Sequence, residues 1–145
     1  MTFREISFGS ADYRQECALR QEILRRPLGL NLYDEDLEKE RSQRHFGLFD
    51  ADGALVGCVV VLPLSPREAK IRQMAIAQRC QGQDHGRRMI GELETRLAAK
   101  GFTRLVLHAR ATATGFYEKL GYAIVSEEFL EVGIPHLKMA KDLHC

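Results

Sequence analysis

The most constraining stretch of the sequence is residues 71–97, where an apolar segment runs through a glycine-containing turn into an amphipathic segment. Residues 71–77 have the apolar content of a buried strand. One helical face of the following segment is formed by Met89, Ile90, Leu93 and Leu97. The turn consists of Gln81, Gly82, Gln83, Asp84, His85, Gly86 and Arg87. A strand that runs through a glycine-containing turn into a helix leaves backbone N–H groups unpaired at the positive end of the helix dipole. The stretch therefore predicts a site for an anion. Alternatively, the glycines serve only to form the turn.

A second motif follows the turn and makes the pattern more specific. The turn itself lacks the G-K-[ST] ending of a P-loop and the G-x-G-x-x-G pattern of dinucleotide-binding folds. Residues 105–109 have the pattern of another apolar strand, and residues 110–122 read R-A-T-A-T-G-F-Y-E-K-L-G-Y. A [RQ]-x-x-[GA]-x-[GA] turn followed by A-x-x-F-Y-x-x-x-G-[FY] resembles the GNAT superfamily of acyl-CoA-dependent N-acyltransferases. The resemblance covers nearly the whole chain.

This resemblance implies an α/β fold with a mixed (α+β) sheet. We expect a central twisted, mostly antiparallel sheet with one parallel, splayed pair of strands and helices on both faces. A chain of 145 residues suits one domain with a sizeable core, so residues 1–145 are predicted to be a single GNAT-like N-acetyltransferase domain. The implied reaction moves an acetyl group from acetyl-CoA directly to a primary amine.

The order of elements along the chain agrees with this expectation. Alternation of apolar residues and turn signals predicts strands at residues 3–8, 45–49, 54–62, 68–77 and 105–109, and a final pair near the end. The step Asp52-Gly53 predicts a hairpin. Residues 12–26 are expected to form a helix that ends before Pro27 and buries Tyr13, Cys17 and Leu24. Residues 34–41 are expected to be a short helix.

Charge, hydropathy and cysteine usage narrow the function classes. With 21 basic and 20 acidic residues the net charge is +1, which lacks the basic footprint of a nucleic-acid-binding domain. No apolar run approaches the ~20 residues of a membrane span, and no signal peptide is recognisable, so we expect a cytoplasmic protein without membrane or nucleic-acid partners. Cysteines 17, 58, 80 and 145 are scattered and suggest neither a metal site nor disulfides. Cys17 and Cys58 are expected in the core, and Cys80 is either structural or a reactive thiol.

The resemblance assigns the cofactor site to two segments. The pyrophosphate of coenzyme A is expected on the backbone amides of residues 81–87. The pantetheine arm is expected to pair with the strand edge formed by Met74, Ala75 and Ile76, where a backbone N–H would also stabilise the oxyanion. Phe116 is assigned to the same site, mainly as a packing residue.

Tyr117 is the predicted catalytic residue, by its place in the F-Y-x-x-x-G motif. A phenol with a pKa of about 10 can protonate the departing thiolate as a general acid. Tyr117 could instead be a packed aromatic residue whose hydroxyl is merely hydrogen-bonded. Gly121 is expected to end the same helix.

Two positions depart from the family pattern. Asp84 replaces the middle glycine or alanine of the turn, so it either weakens pyrophosphate binding or points outward while its N–H still contributes. Arg110 stands where many relatives have asparagine, and either reaches the nucleotide or is a solvated charge.

The acceptor site is less defined. The apolar segment 27–33, which includes Leu30, is either a loop packed on the core or part of the acceptor pocket. The segment around Glu131 and His136 resembles a G-I-P-H-x-x-M pattern of small bacterial members. His136 is a candidate base or a hydrogen-bonded strand histidine, and Glu131 is a rival base or a substrate-recognition carboxylate.

Three functions remain open at this level. The first is acetyl transfer to a small-molecule or peptide amine, which could be a polyamine, an amino acid, an antibiotic or a protein amine. The second is a non-catalytic acyl-CoA sensor or protein-interaction module, and the third is a nucleotide-binding regulator that uses the turn for ATP, which the missing lysine disfavours. A homodimer formed through an exposed last strand is also possible.

Overall fold

The computed structural model describes residues 1–144, which separate into two compact units. The first unit comprises Met1–Leu62 and Gln73–Leu93, and the second comprises Pro63–Arg72 and the chain from Glu94 onward. The strands are β1 Thr2–Ile6, β2 Arg44–Phe49, β3 Leu55–Pro63, β4 Glu68–Ile76, β5 Arg104–Arg110, β6 Ala123–Ile124, β7 Phe129–Glu131 and β8 Ile134–Asp142. The α-helices are α1 Ala11–Arg20, α2 His85–Ala99 and α3 Thr114–Lys119.

The pairing of these strands confirms the predicted fold class. The strands β1 and β2, β2 and β3, β5 and β8, β6 and β8, and β7 and β8 are antiparallel pairs. The strands β4 and β5 are parallel, as the resemblance implied. The architecture is therefore mixed α/β with a mostly antiparallel sheet. Among residues 1–144, no helix is long and apolar enough to cross a membrane.

The hairpin β2–β3 in the first unit forms as the Asp52-Gly53 step predicted. The Asp50 carboxylate accepts hydrogen bonds from the backbone N–H groups of Asp52 at 2.9 Å and Ala54 at 3.0 Å. Gly53 has a φ of 81°, a left-handed conformation that glycine adopts without steric cost. Local turn chemistry thus closes the hairpin, and the pairing of β2 with β3 shifts register once, between Leu48 and Phe49.

The first helical region differs from the prediction of one helix over residues 12–26. The α-helix α1 ends at Arg20, continues as the π-helical segment Gln21–Arg25, and becomes the 3-10 helix Arg26–Leu28, which includes Pro27. The Gln21 side chain accepts from the N–H of Leu32 at 2.7 Å and donates to the carbonyl of Leu30 at 3.2 Å. The widened turn is therefore tied to the following loop by contacts that the helical pattern does not report.

The core of the first unit contains most of the predicted apolar positions. Tyr13 and Cys17 are buried, and Leu24 packs against the same cluster as a partly buried residue. In the apolar segment 27–33, Leu32 is fully buried, so this loop is anchored on the core. The predicted charged helix is the 3-10 helix Leu37–Ser42.

The second unit is built on β5, which lies between β4 and β8. The parallel register runs from Glu68 opposite Arg104 to Ile71 opposite Leu107. The antiparallel register of β5 with β8 runs from Arg104 opposite Asp142 to Arg110 opposite His136. Alternate residues of β5, namely Leu105, Leu107 and Ala109, are buried on one face.

The helix α3 ends as the motif predicted. Gly121 has a φ of 96°, and its N–H donates to the carbonyl of Glu118 at 3.0 Å. The N–H of Tyr122 donates to the carbonyl of Tyr117 at 3.0 Å, which completes a Schellman motif. This confirms Gly121 as the residue that ends the helix.

Candidate active site

The glycine turn leads into α2 through two residues with left-handed backbone. Gly82 has a φ of 76° and Asp84 has a φ of 63°. The carbonyl of Asp84 accepts from the N–H of Arg88 at 3.1 Å, which is the first bond of the helix. The N–H groups of the first helical turn, including those of His85 and Gly86, have no intrahelical acceptor and form the kind of site that binds anions.

The conformation of Asp84 explains the departure from the turn motif. A left-handed φ favours glycine at this position, and aspartate is among the few other residues that adopt it readily. The Asp84 side chain is exposed. An aspartate here therefore keeps the backbone turn that a glycine would provide, and adds a carboxylate on the surface.

The strand that precedes the turn carries its own irregularity. Gln73, in β4, has a φ of 55°, which is uncommon for a non-glycine residue. Its side-chain oxygen accepts from Nη2 of Arg25 at 2.9 Å, while Nε of Arg25 is 2.7 Å from the Glu35 carboxylate. The sequence did not single out Gln73 or Arg25, because the contact joins residues far apart in the chain. The contact between Arg25 and Gln73 therefore lies at the irregular residue of β4, immediately before the segment 74–76 that is predicted to bind the cofactor.

The predicted cofactor residues of the strand and the turn lie in the same unit. Met74 and Ile76 are half-buried, and Ala75 is buried. The side-chain amide of Gln81 donates to the carbonyl of Ile76 at 3.1 Å, which ties the turn to the end of β4. Leu30, the candidate acceptor-site residue, also belongs to this unit and is 42% exposed.

Tyr117 lies on α3, in the second unit, and its hydroxyl differs from those of Tyr13 and Tyr122 in its hydrogen bonding. The Tyr13 hydroxyl donates to Glu40 at 2.8 Å, and the Tyr122 hydroxyl donates to Glu94 at 2.8 Å. Within residues 1–144, the Tyr117 hydroxyl has no such partner, and the Tyr117 ring contacts those of Phe116 and Tyr122 edge-on. Burial raises the pKa of Tyr117, so the phenol stays protonated at neutral pH and suits an acid.

Phe116 differs from its neighbour in exposure. It is 39% exposed, and its ring centroid is 5.0 Å from that of Tyr117. It can therefore cover Tyr117 and still offer a surface to a ligand.

The two C-terminal candidates lie together, and a third residue joins them. His108 on β5 places Nδ1 2.9 Å from Oε1 of Glu131, and Nε2 of His136 is 3.6 Å from Oε2 of the same carboxylate. Nδ1 of His136 is 2.7 Å from the carbonyl oxygen of Ile134, so this nitrogen carries a hydrogen and donates it. Phe129 stacks on His136 and meets His108 edge-on.

The environment of Glu131 favours its charged form. Burial alone would raise its pKa, but the hydrogen bond and the charge of His108, together with His136 and Lys70, lower it overall. Sequence reasoning missed His108. The strand register places it opposite Lys138, two positions from His136, which is a relation visible only once β5 and β8 are paired.

A separate polar network is buried in the first unit and was not predicted. Arg20 contacts Glu16 at 2.8 Å and Glu40 at 2.6 Å, and the Tyr13 hydroxyl donates to Glu40. His45 places Nδ1 2.9 Å from Glu16 and Nε2 3.0 Å from the carbonyl oxygen of Glu40. Because both neighbours are acceptors, both ring nitrogens carry hydrogen and His45 is cationic. Two cations thus balance two carboxylates.

This network could also be considered as a metal site. Glu16, Glu40 and His45 each offer a ligand atom, and these atoms lie within 4.8 Å of one another. However, the guanidinium of Arg20 already bridges both carboxylates. The arrangement is therefore a satisfied ion network and has no open position for a cation.

The cysteines match the structural prediction where it can be compared. Cys17 and Cys58 are buried free thiols, and burial raises the pKa of both, which keeps them protonated. Cys80 is also a buried free thiol. Cys145 lies outside the described residues.

Comparison with known proteins agrees with the motifs. The family model described as an acetyltransferase (GNAT) domain matches residues 18–143. The YyaT protein of Bacillus subtilis (strain 168) is 40% identical over 75 residues, which are 52% of this chain and 51% of that protein. The chain thus matches about half the length of this relative.

Solved structures share the fold. An aminoglycoside 6'-N-acetyltransferase complexed with coenzyme A superposes with a TM-score of 0.82, at 18% identity over 98% of this chain and 97% of that one. A GNAT family acetyltransferase from Elizabethkingia anophelis with acetyl-CoA bound gives a TM-score of 0.72, at 18% identity over 98% and 97%. At such identities the likeness concerns the fold alone. Because the family model covers most of its length, the chain belongs to the GNAT acetyltransferase family.

Proposed function

We propose that the protein transfers an acetyl group from acetyl-CoA directly to a primary amine. The observation that carries this proposal is the family match over residues 18–143. The coenzyme A and acetyl-CoA bound to two structures of the same fold support the choice of cofactor. We also propose that the whole chain works as one domain, since the matched region includes segments of both units.

In this proposal the cofactor binds through backbone groups. The pyrophosphate lies on the N–H groups at the start of α2, with residues 81–87 as its cradle, and the left-handed Gly82 and Asp84 shape that turn. The pantetheine arm pairs with Met74, Ala75 and Ile76, and Phe116 packs against the cofactor. Asp84 keeps its carboxylate outside the cradle, which its exposure supports.

The chemistry needs one oxyanion site, the removal of two protons from the nitrogen and the delivery of one proton to the sulfur. The amine nitrogen attacks the thioester carbonyl, and a backbone N–H near Ile76 stabilises the oxyanion. The C–S bond then breaks, and the Tyr117 hydroxyl gives its proton to the departing thiolate. The second proton released by the nitrogen restores the phenol. The free hydroxyl of Tyr117 and its raised pKa support this role.

The proton of the incoming ammonium has a candidate acceptor in His136. Its Nδ1 is engaged with the Ile134 carbonyl, so in the neutral ring Nε2 has the free lone pair. Glu131 lies beside that nitrogen and can stabilise the imidazolium that forms. We propose that His136 takes the proton, directly or through a water molecule.

Calorimetric titration with acetyl-CoA and with CoA tests the cofactor site. We expect micromolar binding by the wild type and its loss in Gly86→Trp, whose side chain would fill the turn at the start of α2. Absence of binding by the wild type would contradict the proposal. Competition by ATP for the same site would favour the nucleotide-binding alternative.

Tyr117→Phe tests catalysis, with Tyr122→Phe as a matched control. Thiol release from acetyl-CoA in an amine screen should fall about 100-fold in Tyr117→Phe, while its affinity for acetyl-CoA stays the same. Tyr122→Phe should keep its kcat and lose about 1 kcal/mol of stability, because it removes one of two donors to half-buried Glu94. Binding without turnover in the wild type would instead support the sensor or interaction module.

A further inference from the structure

One face of the second unit carries a concentration of cations that acetyl transfer itself does not require. Side chains alternate along a strand, and residues opposite one another in neighbouring strands share a face. The pairs that define this face are Lys70 with Val106, His108 with Lys138, and Arg110 with His136. We call four of its lysine and arginine residues the cationic face: Lys70, Arg72, Arg110 and Lys138. His108 and His136 lie on the same side of the sheet.

The charged side chains at the two ends of this face are paired to different extents. At one end, Arg104 is 3.2 Å from Glu68 and 3.3 Å from Asp142, so its charge is paired on both sides. At the other end, Glu131 is the carboxylate that reaches the cationic face, and His108 and His136 share it.

Three of these cations have no counterion within the described part of the chain. Within residues 1–144, Lys70, Arg110 and Lys138 form no ion pair. The net charge of the whole chain is only +1, so this excess is local and not a property of a basic protein.

The cations are close enough to repel one another. Burial lowers the pKa of half-buried Lys70, and the charges of Arg72 and Lys138 lower it further, with Glu131 opposing them. The positive charge is therefore held at a cost in the unliganded chain. An anion bound here would remove that cost, because it would supply the missing counterion.

The cationic face and the proposed acid belong to the same unit but lie on opposite faces of the sheet. Lys141, which is opposite Leu105 on the other face, binds the carbonyl of Leu120 at the end of α3. The strand β5 leads through the 3-10 helix Ala111–Ala113 into α3, which carries Tyr117. The helix α3 contacts β5, and the 3-10 helix contacts β8. On the cationic side, Arg110 is opposite the proposed base His136, so a group held by Arg110 would belong to a molecule that lies beside that base.

We propose that the acceptor amine carries an anionic group, a carboxylate or a phosphate, which the cationic face binds. This inference rests on the proposed acetyl transfer and names its substrate class. The same charges disfavour polyamines, because a second ammonium group would meet like charge at the cationic face.

Matched pairs of amines test the proposal in an acetyl-CoA assay. β-Alanine is compared with n-propylamine, and O-phosphoethanolamine with ethanolamine, so that carboxylate and phosphate are examined separately. We expect kcat/KM to be at least about tenfold higher for an anionic member, which corresponds to about 1.4 kcal/mol. Equal or greater kcat/KM for both neutral amines, or a preference for 1,3-diaminopropane, would overturn the proposal.

Charge-removing variants connect any preference to the cationic face. Lys70→Gln and Lys138→Gln should each reduce the ratio of kcat/KM between the anionic and neutral amines severalfold. The exposed Lys100→Gln serves as the control and should keep the ratio. An unchanged ratio in both Lys70→Gln and Lys138→Gln would show that these charges do not select the amine. Weaker acetyl-CoA binding by the two variants would show that the charges bind the cofactor. Either result would reject the inference.

Failure of the proposed reaction can be told apart from failure of this inference. If the wild type transfers acetyl groups to amines without regard to their charge, the reaction stands and the substrate class is wrong. If it neither binds acetyl-CoA nor acetylates any amine, the reaction is wrong, and direct titration by NMR then compares O-phosphoethanolamine with ethanolamine. Selective binding of the former that is lost in Lys70→Gln supports the cationic face, and equal binding rejects it.

Discussion

Two polar clusters of similar composition have opposite electrostatic characters. The network around Arg20 in the first unit is almost entirely shielded from solvent, and its two carboxylates meet two cations. The cluster around Glu131 in the second unit is partly exposed. Its carboxylate is shared by His108 and His136, while Lys70 nearby forms no ion pair within residues 1–144. Both contain histidine, glutamate and a long cationic side chain, so residue types alone do not distinguish them.

The difference lies in whether the chain satisfies its own charges. In the Arg20 network, nearly every polar group has a partner, and only Nε of Arg20 is buried without one. Removing a member therefore leaves another charge buried and unpaired, which is costly. In the Glu131 cluster the unpaired groups reach solvent, so they are available to a ligand. We infer that the first cluster serves folding and the second serves binding.

The largest expected effect is that of Arg20→Met. This change leaves Glu16 and Glu40 buried with one fewer cation, and should cost about 3–5 kcal/mol of unfolding free energy. Urea denaturation followed by circular dichroism measures it. Arg26→Met is the matched control, since its ion pair with Glu22 is exposed and should contribute little. A loss below about 1 kcal/mol for Arg20→Met would show that the network is not a unit.

The second prediction concerns pH and the cationic state of His45. Burial lowers the pKa of His45, but its bonds to Glu16 and to the Glu40 carbonyl outweigh this, so the pKa is raised overall. A raised pKa contributes stability that is complete below the ordinary value of about 6.5 and is lost as pH rises through the folded-state value. The unfolding free energy should therefore fall above neutral pH.

His45→Gln isolates that contribution. The variant should be less stable than the wild type near pH 6, and the gap should narrow as pH rises through the raised pKa. Denaturant unfolding at several pH values between about 6 and 9 tests this. Parallel curves for the two proteins would mean that His45 is not the titrating group.

Local sequence signals predicted those elements that local chemistry determines. The spacing of Met89, Ile90, Leu93 and Leu97 predicted α2, and all four side chains are buried. The hairpin was predicted from Asp52-Gly53. The end of α1 was not, because the π-helical segment Gln21–Arg25 depends on how Gln21 bonds to a later loop.

The sequence predicted those parts of the candidate site that lie within one continuous segment. The turn motif and the Tyr117 motif are each continuous, and the φ of Asp84 accounts for the glycine usually found there. The Arg20 network escaped prediction, because Glu16 and Arg20 at i and i+4 look like an ordinary surface ion pair, and His45 joins them from 29 residues away. Likewise, the cationic face exists only after β4, β5 and β8 are in register.

The smallest expected effect is that of Lys70→Met, in the cluster around Glu131. Burial and the nearby cations disfavour the charged form of Lys70 in the folded chain, so at neutral pH its charge opposes folding. Methionine keeps most of the apolar stem and removes that charge, so the unfolding free energy should rise, or change by less than about 1 kcal/mol. The same type of substitution thus has opposite consequences at Arg20 and Lys70.

Urea denaturation measures this effect, with Lys100→Met as the control. A loss of more than about 2 kcal/mol in Lys70→Met would mean that the cluster around Glu131 also serves folding. The proposed anion site would then lose its physical basis, because its charge would already be compensated within the chain.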